Sequence, residues 1–326
     1  MRVLVTGGTG FLGSRLIERL RQRGDEVLCV AKDEMNSAFL KSLGVTVTLG
    51  DLNNGISWDP VLSDVECVFH LAGVTRAISS REYYQGNHSA TKRLVEVCMT
   101  NHSRIKRFVY VSSLAAIGPA LDGRPVTEDE PYHPVSHYGK SKMMGELEVL
   151  KAQDRLPITI VRPSAVYGPR ERDMFEYMRL IIRGIQPLIG FDRKRLSLLH
   201  SYDLIEGILL ASEHSHSIGE VYFLGSEQVY SMQDVGDAIA RAVKRVPVKI
   251  RLPHSFVYTV GAIAGMVGTI TGKQIFFNFQ KAKESVQPAW ICSVSKARQQ
   301  LGFRQQITLD HGMVQTYSWY KEQGWL

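Results

Sequence analysis

A glycine-rich turn near the start of the chain constrains its fold more than any other feature of the sequence. Residues 6–13 read Thr-Gly-Gly-Thr-Gly-Phe-Leu-Gly, between an apolar run that predicts a strand and an amphipathic run that predicts a helix. Gly7 permits the tight turn, Gly10 lets the backbone approach a pyrophosphate, and Gly13 allows close contact between helix and strand. The phosphates would meet the positive N-terminus of that helix. The turn therefore predicts a dinucleotide site in a strand–turn–helix unit.

The distribution of apolar residues over the first half of the chain predicts a doubly wound α/β fold. Short β-branched runs alternate there with longer amphipathic runs, which predict helical crossovers between largely apolar strands. Strands of that kind form a parallel sheet covered on both faces, as in the Rossmann fold. The predicted strands are Val3–Thr6, Glu26–Val30, Val45–Leu49, Cys67–Leu71, Phe108–Val111 and Ile158–Val161, and the predicted helices are Phe11–Arg23, Asn87–Asn101 and His137–Asp154.

The pattern loosens after Pro163 and predicts a second, smaller unit. Residues Arg183–Arg195 contain Gly184, Pro187 and Gly190 and predict a loop. Three elements then return beside the main sheet, namely a strand, a helix and a strand over Leu196–Leu199, Tyr202–Ser212 and Glu220–Leu224. We therefore expect a dinucleotide-binding domain of residues 1–165 plus about 196–225, and a discontinuous, mostly helical substrate lobe of about 166–195 and 226–326.

Composition and charge limit the partners, metal sites and compartment that the sequence predicts. The net charge of +7 would suit an anionic partner, but Lys and Arg are spread along the chain and no basic stripe interleaved with aromatic residues predicts nucleic-acid binding. No ligand spacing predicts a metal site, and the cysteines are expected to be free thiols, at Cys29, Cys67, Cys98 and Cys292. Because the first strand is predicted to begin at Arg2, we expect no signal peptide and a cytoplasmic protein.

One uncharged segment leaves the relation to membranes open. Ser255–Gly272 carries no charged side chain over eighteen positions, which approaches the length of a membrane span. Its small residues Gly261, Gly265 and Gly268 allow close helix packing. A buried or pocket-lining helix of the smaller lobe is favoured. A helix that contacts the membrane from one side and a spanning helix are the alternatives.

The end of the second predicted strand bears on the choice of dinucleotide. NAD sites usually place an acidic side chain there, which accepts a hydrogen bond from the ribose 2′-hydroxyl. Here Ala31 leaves space and Lys32 offers a cation where the 2′-phosphate of NADP would lie. Asp33 serves an NAD ribose instead if the register moves by two residues. NADP(H) is therefore favoured, and NAD(H) stays open.

A tyrosine, a lysine and a serine predict proton transfer at a substrate oxygen. Tyr138 and Lys142 stand four residues apart on a predicted helix, so they share one face. A free tyrosine has a pKa of about 10. A neighbouring ammonium favours the phenolate and makes Tyr138 a better general acid–base group. Ser113, at the end of an apolar strand, can hydrogen-bond the reacting oxygen.

With these motifs together, the chain resembles the extended short-chain dehydrogenase/reductase superfamily over nearly its whole length. The resemblance rests on T-G-G-T-G-F-L-G at 6–13, Asp51-Leu52, His70-Leu71-Ala72-Gly73, Asn87 at a helix start, Val111-Ser112-Ser113, Y-G-K-S-K at 138–142 and R-P-S-A-V-Y-G-P at 162–169. It implies the Rossmann architecture, a nicotinamide cofactor and a dimer formed by paired helices of the main domain, which is common in that family.

The resemblance also implies roles for individual residues. Asp51 and Leu52 would flank the adenine, and Lys142 would bind the nicotinamide ribose. Glu146, one turn beyond Lys142, would be a structural ion-pair partner. The implied cofactor-binding residues are Gly7, Gly10, Phe11, Leu12, Gly13, Lys32, Asp51, Leu52, Ala72 and Gly73 along the cofactor path, Ser112, Tyr138, Lys142, and Pro163 and Val166 beside the nicotinamide.

Two departures from the family pattern point to an apolar substrate. Nucleotide-sugar epimerases usually carry an asparagine where this chain has Ala165, and an arginine where it has Leu196, four residues before His200. By contrast, Val30-Ala31-Lys32-Asp33 looks like the V-R-D turn of dihydroflavonol reductases, and the 255–272 segment is similar to one in 3β-hydroxysteroid dehydrogenases. We therefore favour an oxidoreductase acting on a ketone or secondary alcohol. A nucleotide-sugar epimerase or dehydratase with a retained cofactor, and a non-catalytic NAD(P)-binding assembly or sensor protein, are the alternatives.

Overall fold

The computed structural model describes residues 1–34, 37–100, 104–275 and 277–326 of the chain. Its strands are β1 (Arg2–Thr6), β2 (Glu26–Ala31), β3 (Thr46–Leu49), β4 (Cys67–His70), β5 (Arg107–Val111), β6 (Ile158–Pro163), β7 (Ala165–Tyr167), β8 (Ile185–Ile189), β9 (Arg195–His200), β10 (Val221–Leu224), β11 (Val229–Ser231), β12 (Val248–Leu252) and β13 (Ala289–Trp290).

The helices lie between these strands and at the end of the chain. They are α1 (Phe11–Gln22), α2 (Ala38–Ser42), α3 (Trp58–Leu62), α4 (Ser80–Tyr84), α5 (Ala90–Thr100), α6 (Leu114–Ile117), α7 (His137–Leu150), α8 (Arg172–Ile182), α9 (Ser201–Glu213), α10 (Met232–Val243), α11 (His254–Thr271), α12 (Phe279–Ser285), α13 (Ser295–Leu301) and α14 (Leu309–Glu322). A π-helical turn over Gln85–Ser89 joins α4 to α5. The helix predicted to begin at Asn87 therefore begins earlier, and its predicted end at Asn101 lies outside the described residues.

Seven parallel strands form the central sheet in the order β10-β6-β5-β4-β1-β2-β3. The predicted doubly wound sheet is thereby confirmed, and the six predicted strands agree with the observed ones to within two residues. Helices α1 and α9 cover one face through side chains such as Ile17 and Ile208, and α5 and α7 cover the other through Leu94 and Val149. The strands are apolar along their length because both faces are buried. All four cysteines are free and buried.

A second sheet corrects the predicted position of one strand. β9 confirms the strand predicted at Leu196–Leu199, but it does not join the main sheet. It pairs with β7, β11 and β13 instead. Only α9 and β10 of the three returning elements lie on or in the main sheet. A buried apolar run has the same appearance in either sheet, so periodicity could not make this distinction.

The loop predicted over Arg183–Arg195 is also wrong in part. It contains β8, which pairs in parallel with β12 as a separate two-stranded ladder. Pro187 and the two flanking glycines suggested a loop, because proline cannot donate a backbone hydrogen bond to a neighbouring strand. A strand with one neighbour leaves one edge unpaired, so it tolerates a proline. Gln186 and Leu188 are buried by this pairing.

The uncharged segment forms α11, and most of it is exposed. Val257, Gly261 and Gly268 are its buried residues, so the prediction of a buried helix is wrong, whereas a pocket-lining helix stays a prediction. The glycines do pack closely, since a Cβ added to Gly261 would lie 2.9 Å from the Cβ of Ala282 on α12. α11 is therefore attached by one narrow face. Among the described residues, no helix has the length and apolarity needed to cross a bilayer.

Candidate active site

The serine, tyrosine and lysine predicted to act together lie where β5 ends and α7 begins. Ser113 follows β5 and caps α6, its hydroxyl accepting a hydrogen bond from the amide of Ala115 at 3.1 Å. Tyr138 and Lys142 lie on the first turns of α7, which Ser136 caps. Burial holds the pKa of Tyr138 above its usual value, and a hydrogen bond with the Ser113 side chain opposes this shift only in part. The structure thus brings the Tyr138 phenol and the Ser113 hydroxyl together.

Lys142 lies one turn after Tyr138 on α7 and is buried. Its Nζ donates a hydrogen bond to the carbonyl of Val111 at 2.8 Å and lies 4.4 Å from the centre of the Tyr110 ring. Burial lowers the pKa of the ammonium to about 7, and the Glu146 carboxylate opposes that shift. A Cβ added to Gly73 would lie 3.9 Å from Nζ, so the ammonium faces the loop after β4.

This buried ammonium predicts how the stability of the cofactor-free protein depends on pH. The pKa of Lys142 is about 7 in the folded state against an ordinary value of 10.5 for lysine, so the unfolded chain binds more protons between these values. The free energy of unfolding should therefore rise with pH in that window. Relative to Lys142→Met, we expect the wild type to gain on the order of 2 kcal/mol between about pH 7 and about pH 9.

Urea unfolding of both proteins at the two pH values measures this gain. Lys140→Met is the matched control, because Lys140 is exposed two positions away on the same helix. A difference between wild type and Lys142→Met that stays constant with pH would contradict the lowered pKa.

A buried ion pair between α7 and β6 supports the site. The guanidinium of Arg162, on β6, donates to the Glu146 carboxylate through Nη2 at 2.6 Å and Nε at 3.0 Å, and both side chains are almost fully buried. The Tyr132 hydroxyl donates to the same carboxylate at 2.7 Å, and the Ser112 hydroxyl donates to its other oxygen. Glu146 is thus confirmed as an ion-pair partner. The Ser112 hydroxyl, which donates to Glu146, stays a predicted cofactor contact.

His70 fixes the end of β4 by hydrogen bonds to two threonines. Its Nδ1 lies 2.6 Å from the Thr6 hydroxyl and its Nε2 lies 2.9 Å from the Thr91 hydroxyl. Burial lowers the pKa of His70 to about 3, and the nearby Lys142 charge acts in the same direction. The imidazole is therefore neutral at physiological pH and has a structural role.

Asn87 fixes the next residues of the same loop. Its side-chain oxygen accepts from the amide of Val74 at 2.7 Å, and its amide nitrogen donates to the carbonyl of Val74 at 2.9 Å and to the Ser141 hydroxyl at 2.8 Å. The loop carrying Ala72 and Gly73 is thereby tied to α7, the helix that carries Tyr138. This holds the predicted cofactor path at a set distance from the catalytic helix.

The glycine-rich turn has the geometry that a dinucleotide requires. Gly7 has a φ of +76°, and a Cβ there would lie 2.6 Å from the amide nitrogen of Ala72. A Cβ on Gly13 would overlap the carbonyl oxygen of Gly7, whereas one on Gly10 would meet only that oxygen, at 3.2 Å. The turn thus packs tightly against neighbouring backbone at Gly7 and Gly13 and has more space at Gly10. Phe11 and Leu12 follow and begin α1. No acidic side chain lies in the first turn of α1, which suits a pyrophosphate.

The residues predicted near the adenosine lie at the ends of β2 and β3. Lys32 and Asp51 form an ion pair with 2.8 Å between Nζ and Oδ2, and the lysine side chain is 71 % exposed. Although partial burial acts to raise the pKa of Asp51, hydrogen bonds from Lys32 and Asn53 hold it below its usual value. Leu52 is buried beside them. Both a cation and a carboxylate are therefore available to the ribose.

The two residues predicted beside the nicotinamide lie on consecutive strands. Pro163 ends β6, and Val166 lies on β7, which pairs with β9. Ala165 between them is exposed. No charged or amide side chain is therefore offered at that position.

Helix α12 covers the site and was missed by sequence reasoning. The Ser136 hydroxyl donates to the Glu284 carboxylate at 2.6 Å, and the amide of His137 donates to the Gln280 side chain at 3.0 Å. These contacts bridge more than 140 positions in sequence, and no local pattern indicates them. Arg162, the partner of Glu146, was also missed, although an arginine within an apolar strand is a visible signal for a buried ion pair.

Known proteins are similar to this chain in sequence and in fold. The sequence model of the NAD dependent epimerase/dehydratase family matches residues 3–225. A ceramide reductase of Caulobacter vibrioides is 28 % identical over 99 % of this chain and 96 % of its own length. A 3-beta-hydroxysteroid dehydrogenase of Mycolicibacterium neoaurum is 25 % identical over 98 % of this chain and 92 % of its own length. The solved structure of UDP-glucuronic acid 4-epimerase from Bacillus cereus with NAD has a TM-score of 0.81 at 22 % identity and covers 99 % of each chain, which shows the same fold.

Proposed function

Because the chain belongs to the NAD dependent epimerase/dehydratase family and is thus a nicotinamide-dependent oxidoreductase of the extended short-chain type, we propose that it interconverts a ketone and a secondary alcohol on a fairly apolar substrate, with NADP(H) as cofactor. The observation that carries this proposal is the hydrogen bond between the Tyr138 phenol and the Ser113 hydroxyl, with the buried Lys142 ammonium one turn further along α7. Three groups of these types at one point can handle a proton on a substrate oxygen.

In this proposal the chain supplies the proton and the cofactor supplies the hydride. Held beside Pro163 and Val166, the nicotinamide would supply the hydride-transfer chemistry at the carbonyl carbon. Tyr138 donates the proton to the carbonyl oxygen during reduction and removes it during oxidation. The Ser113 hydroxyl donates a hydrogen bond to that oxygen and stabilises developing negative charge. Lys142 stabilises the Tyr138 phenolate through its positive charge, and this role requires the protonated ammonium.

The proposed cofactor path follows the glycine turn, the Ala72–Gly73 loop and the strand ends. Gly7, Gly10 and Gly13, with Phe11 and Leu12, would hold the pyrophosphate at the N-terminus of α1. The adenosine would lie against Lys32, Asp51 and Leu52, and the nicotinamide beside Pro163 and Val166.

The side chain at position 165 and two relatives of this chain support an apolar substrate. Ala165 leaves that position without an amide that could bind a substrate diphosphate. The ceramide reductase and the 3-beta-hydroxysteroid dehydrogenase bear names that refer to apolar molecules. We propose that residues 166–195 and 226–326 supply most of the substrate-binding surface, and that residues 1–165 with about 196–225 bind the cofactor.

Cofactor consumption tests the proposal. Purified protein is incubated with NADPH and a panel of long-chain and polycyclic ketones, and absorbance is followed at the nicotinamide band. We expect one NADPH oxidised for each alcohol formed. A nucleotide-sugar epimerase would interconvert UDP-glucose and UDP-galactose with no net change in absorbance, and that result would overturn the proposal. The epimerase remains the second candidate because the family whose model matches residues 3–225 includes epimerases and dehydratases.

Replacing Lys32 tests the cofactor assignment. If this ammonium binds a 2′-phosphate, Lys32→Ala should weaken NADPH binding about ten- to a hundred-fold, as expected for the loss of one charge-assisted contact. NADH binding should change by less than about threefold, because its ribose offers no phosphate. Fluorescence titration with both cofactors measures the two affinities.

Lys41→Ala is the matched control for this substitution. Lys41 is also an exposed lysine, and it pairs with Glu34 at 2.7 Å. Its replacement should leave both affinities unchanged. A wild-type protein that binds NADH more tightly than NADPH would refute the NADP assignment.

A further inference from the structure

A row of exposed apolar side chains runs along the outer face of α11. These residues are three or four apart, so they fall within about 120° of the helix circumference. They are between 38 % and 84 % exposed, and we call them the α11 stripe: Phe256, Val260, Ile263, Met266, Val267 and Ile270. A continuous apolar surface of this kind, on a helix without charged side chains, indicates a contact with something outside the chain.

The opposite face of α11 already has its partner within the chain. Gly261 packs against Ala282 and the carbonyl of Asn278, and Gly268 against the carbonyl of Lys273. Val257 joins Ala282 in a small core between α11 and α12. The glycine face thus holds the α11–α12 hairpin together. The stripe points away from it and is left uncovered within the described part of the chain.

The sequence segment that contains the stripe carries charges of one sign, although Arg241, Lys249 and Lys281 in it form ion pairs with acidic side chains of other elements. Residues 238–283 contain no aspartate or glutamate, and they contain eight basic residues, namely Arg241, Lys244, Arg245, Lys249, Arg251, Lys273, Lys281 and Lys283. Arg251 precedes α11 on β12, and Lys273 follows its last turn by two positions. An apolar helix face between cations is suited to an anionic surface with an apolar interior.

We propose that the α11 stripe docks this protein on the surface of an anionic lipid bilayer. The helix would lie in the interface, with the stripe toward the acyl chains and the flanking cations toward the lipid phosphates. A second copy of the chain fits this surface less well. In a two-fold symmetric contact the same patch meets itself, so the cations of both copies would face each other without acidic partners on the segment.

The α11 stripe and helix α12, which covers the candidate active site, belong to the same α11–α12 hairpin. α12 packs on the glycine face of α11, and its Gln280 and Glu284 contact the first turn of α7 beside Tyr138. Docking would therefore bring the covered side of the site close to the lipid. The inference does not depend on the proposed reaction, since vesicle binding is measured without substrate.

Vesicle flotation tests the docking surface directly. The full chain is mixed with vesicles of phosphatidylcholine alone or with added phosphatidylglycerol. We expect the wild type to float with the anionic vesicles and much less with neutral ones. Raising the salt from about 0.1 M to about 1 M should weaken binding, because the Debye length falls from about 10 Å to about 3 Å.

Two stripe variants and one matched control complete the test. Ile270→Asp and Ile263→Asp should each lower the partition coefficient about tenfold or more, since a charge replaces a side chain placed in the acyl region. Leu121→Asp, which changes a similarly exposed residue outside the segment, should not. Absence of wild-type flotation, equal binding to neutral vesicles, or unchanged binding of the stripe variants would overturn the proposal. So would a dimer, seen by light scattering, that Ile270→Asp dissociates while no vesicle binding occurs.

Discussion

Tyr138→Phe is expected to lower kcat/KM by about 10²–10⁴-fold, the range for loss of a positioned general acid–base group. The substitution removes one oxygen and leaves the ring, so the contact with Tyr83, whose ring centre lies 6.4 Å away, is kept. Cofactor affinity should change little, because the proposed cofactor path places the nucleotide mainly along the glycine turn. Steady-state kinetics with NADPH and the best ketone of the panel measures the loss.

A second tyrosine, Tyr84, provides the control for losing a tyrosine hydroxyl near the site. The Tyr84 hydroxyl lies 3.3 Å from Nδ1 of His137, close to the site but away from Ser113. Tyr84→Phe should retain most of the activity. If Tyr138→Phe keeps full activity with unchanged cofactor consumption, Tyr138 is not the acid–base group. A wild type that binds NADPH but converts none of the ketones would favour a non-catalytic NAD(P)-binding protein.

Glu146→Gln is expected to lower the free energy of unfolding by about 3–5 kcal/mol, the usual cost of leaving one partner of a buried ion pair unpaired. The side chains of Glu146 and Arg162 are 0 % and 3 % exposed, so water cannot compensate the guanidinium. Glutamine has nearly the same shape, so the effect reports charge and hydrogen bonding rather than a cavity. Urea unfolding at neutral pH measures the change.

An exposed ion pair gives the comparison for this loss. Arg241 and Asp310 form a salt bridge with both side chains at least 60 % exposed. Asp310→Asn should change the free energy of unfolding by less than about 1 kcal/mol, as exposed pairs do. Similar losses for Glu146→Gln and Asp310→Asn would mean that burial does not set the strength of the Glu146–Arg162 pair.

Much of the catalytic region could be predicted because its signals are local. Gly7 and Gly13 are required by contacts within one strand–turn–helix unit, and Tyr138 and Lys142 share a helix face through their spacing. The strands that surround them are largely apolar because the sheet is covered on both sides. Each of these patterns spans fewer than about twenty residues, the range over which periodicity and spacing are informative.

The errors fell where distant segments meet. The apolar run at β9 could join either sheet, and its pairing with β7, β11 and β13 is a choice among partners that periodicity does not encode. α11 was expected to be buried because it lacks charge, yet its partner α12 covers only the glycine face. The hydrogen bonds from Ser136 and His137 to α12 depend on residues more than 140 positions away.

The sequence alone determined the Rossmann sheet, the glycine-rich turn and the choice of Ser113, Tyr138 and Lys142 as candidate catalytic residues. These follow from local sterics and from side-chain spacing within single elements. The tertiary structure decided which groups surround them. It placed Lys142 where burial lowers its pKa to about 7, paired Glu146 with Arg162, and left the α11 stripe uncovered. Burial and pairing depend on every segment that packs around a side chain, and those segments come from all parts of the chain.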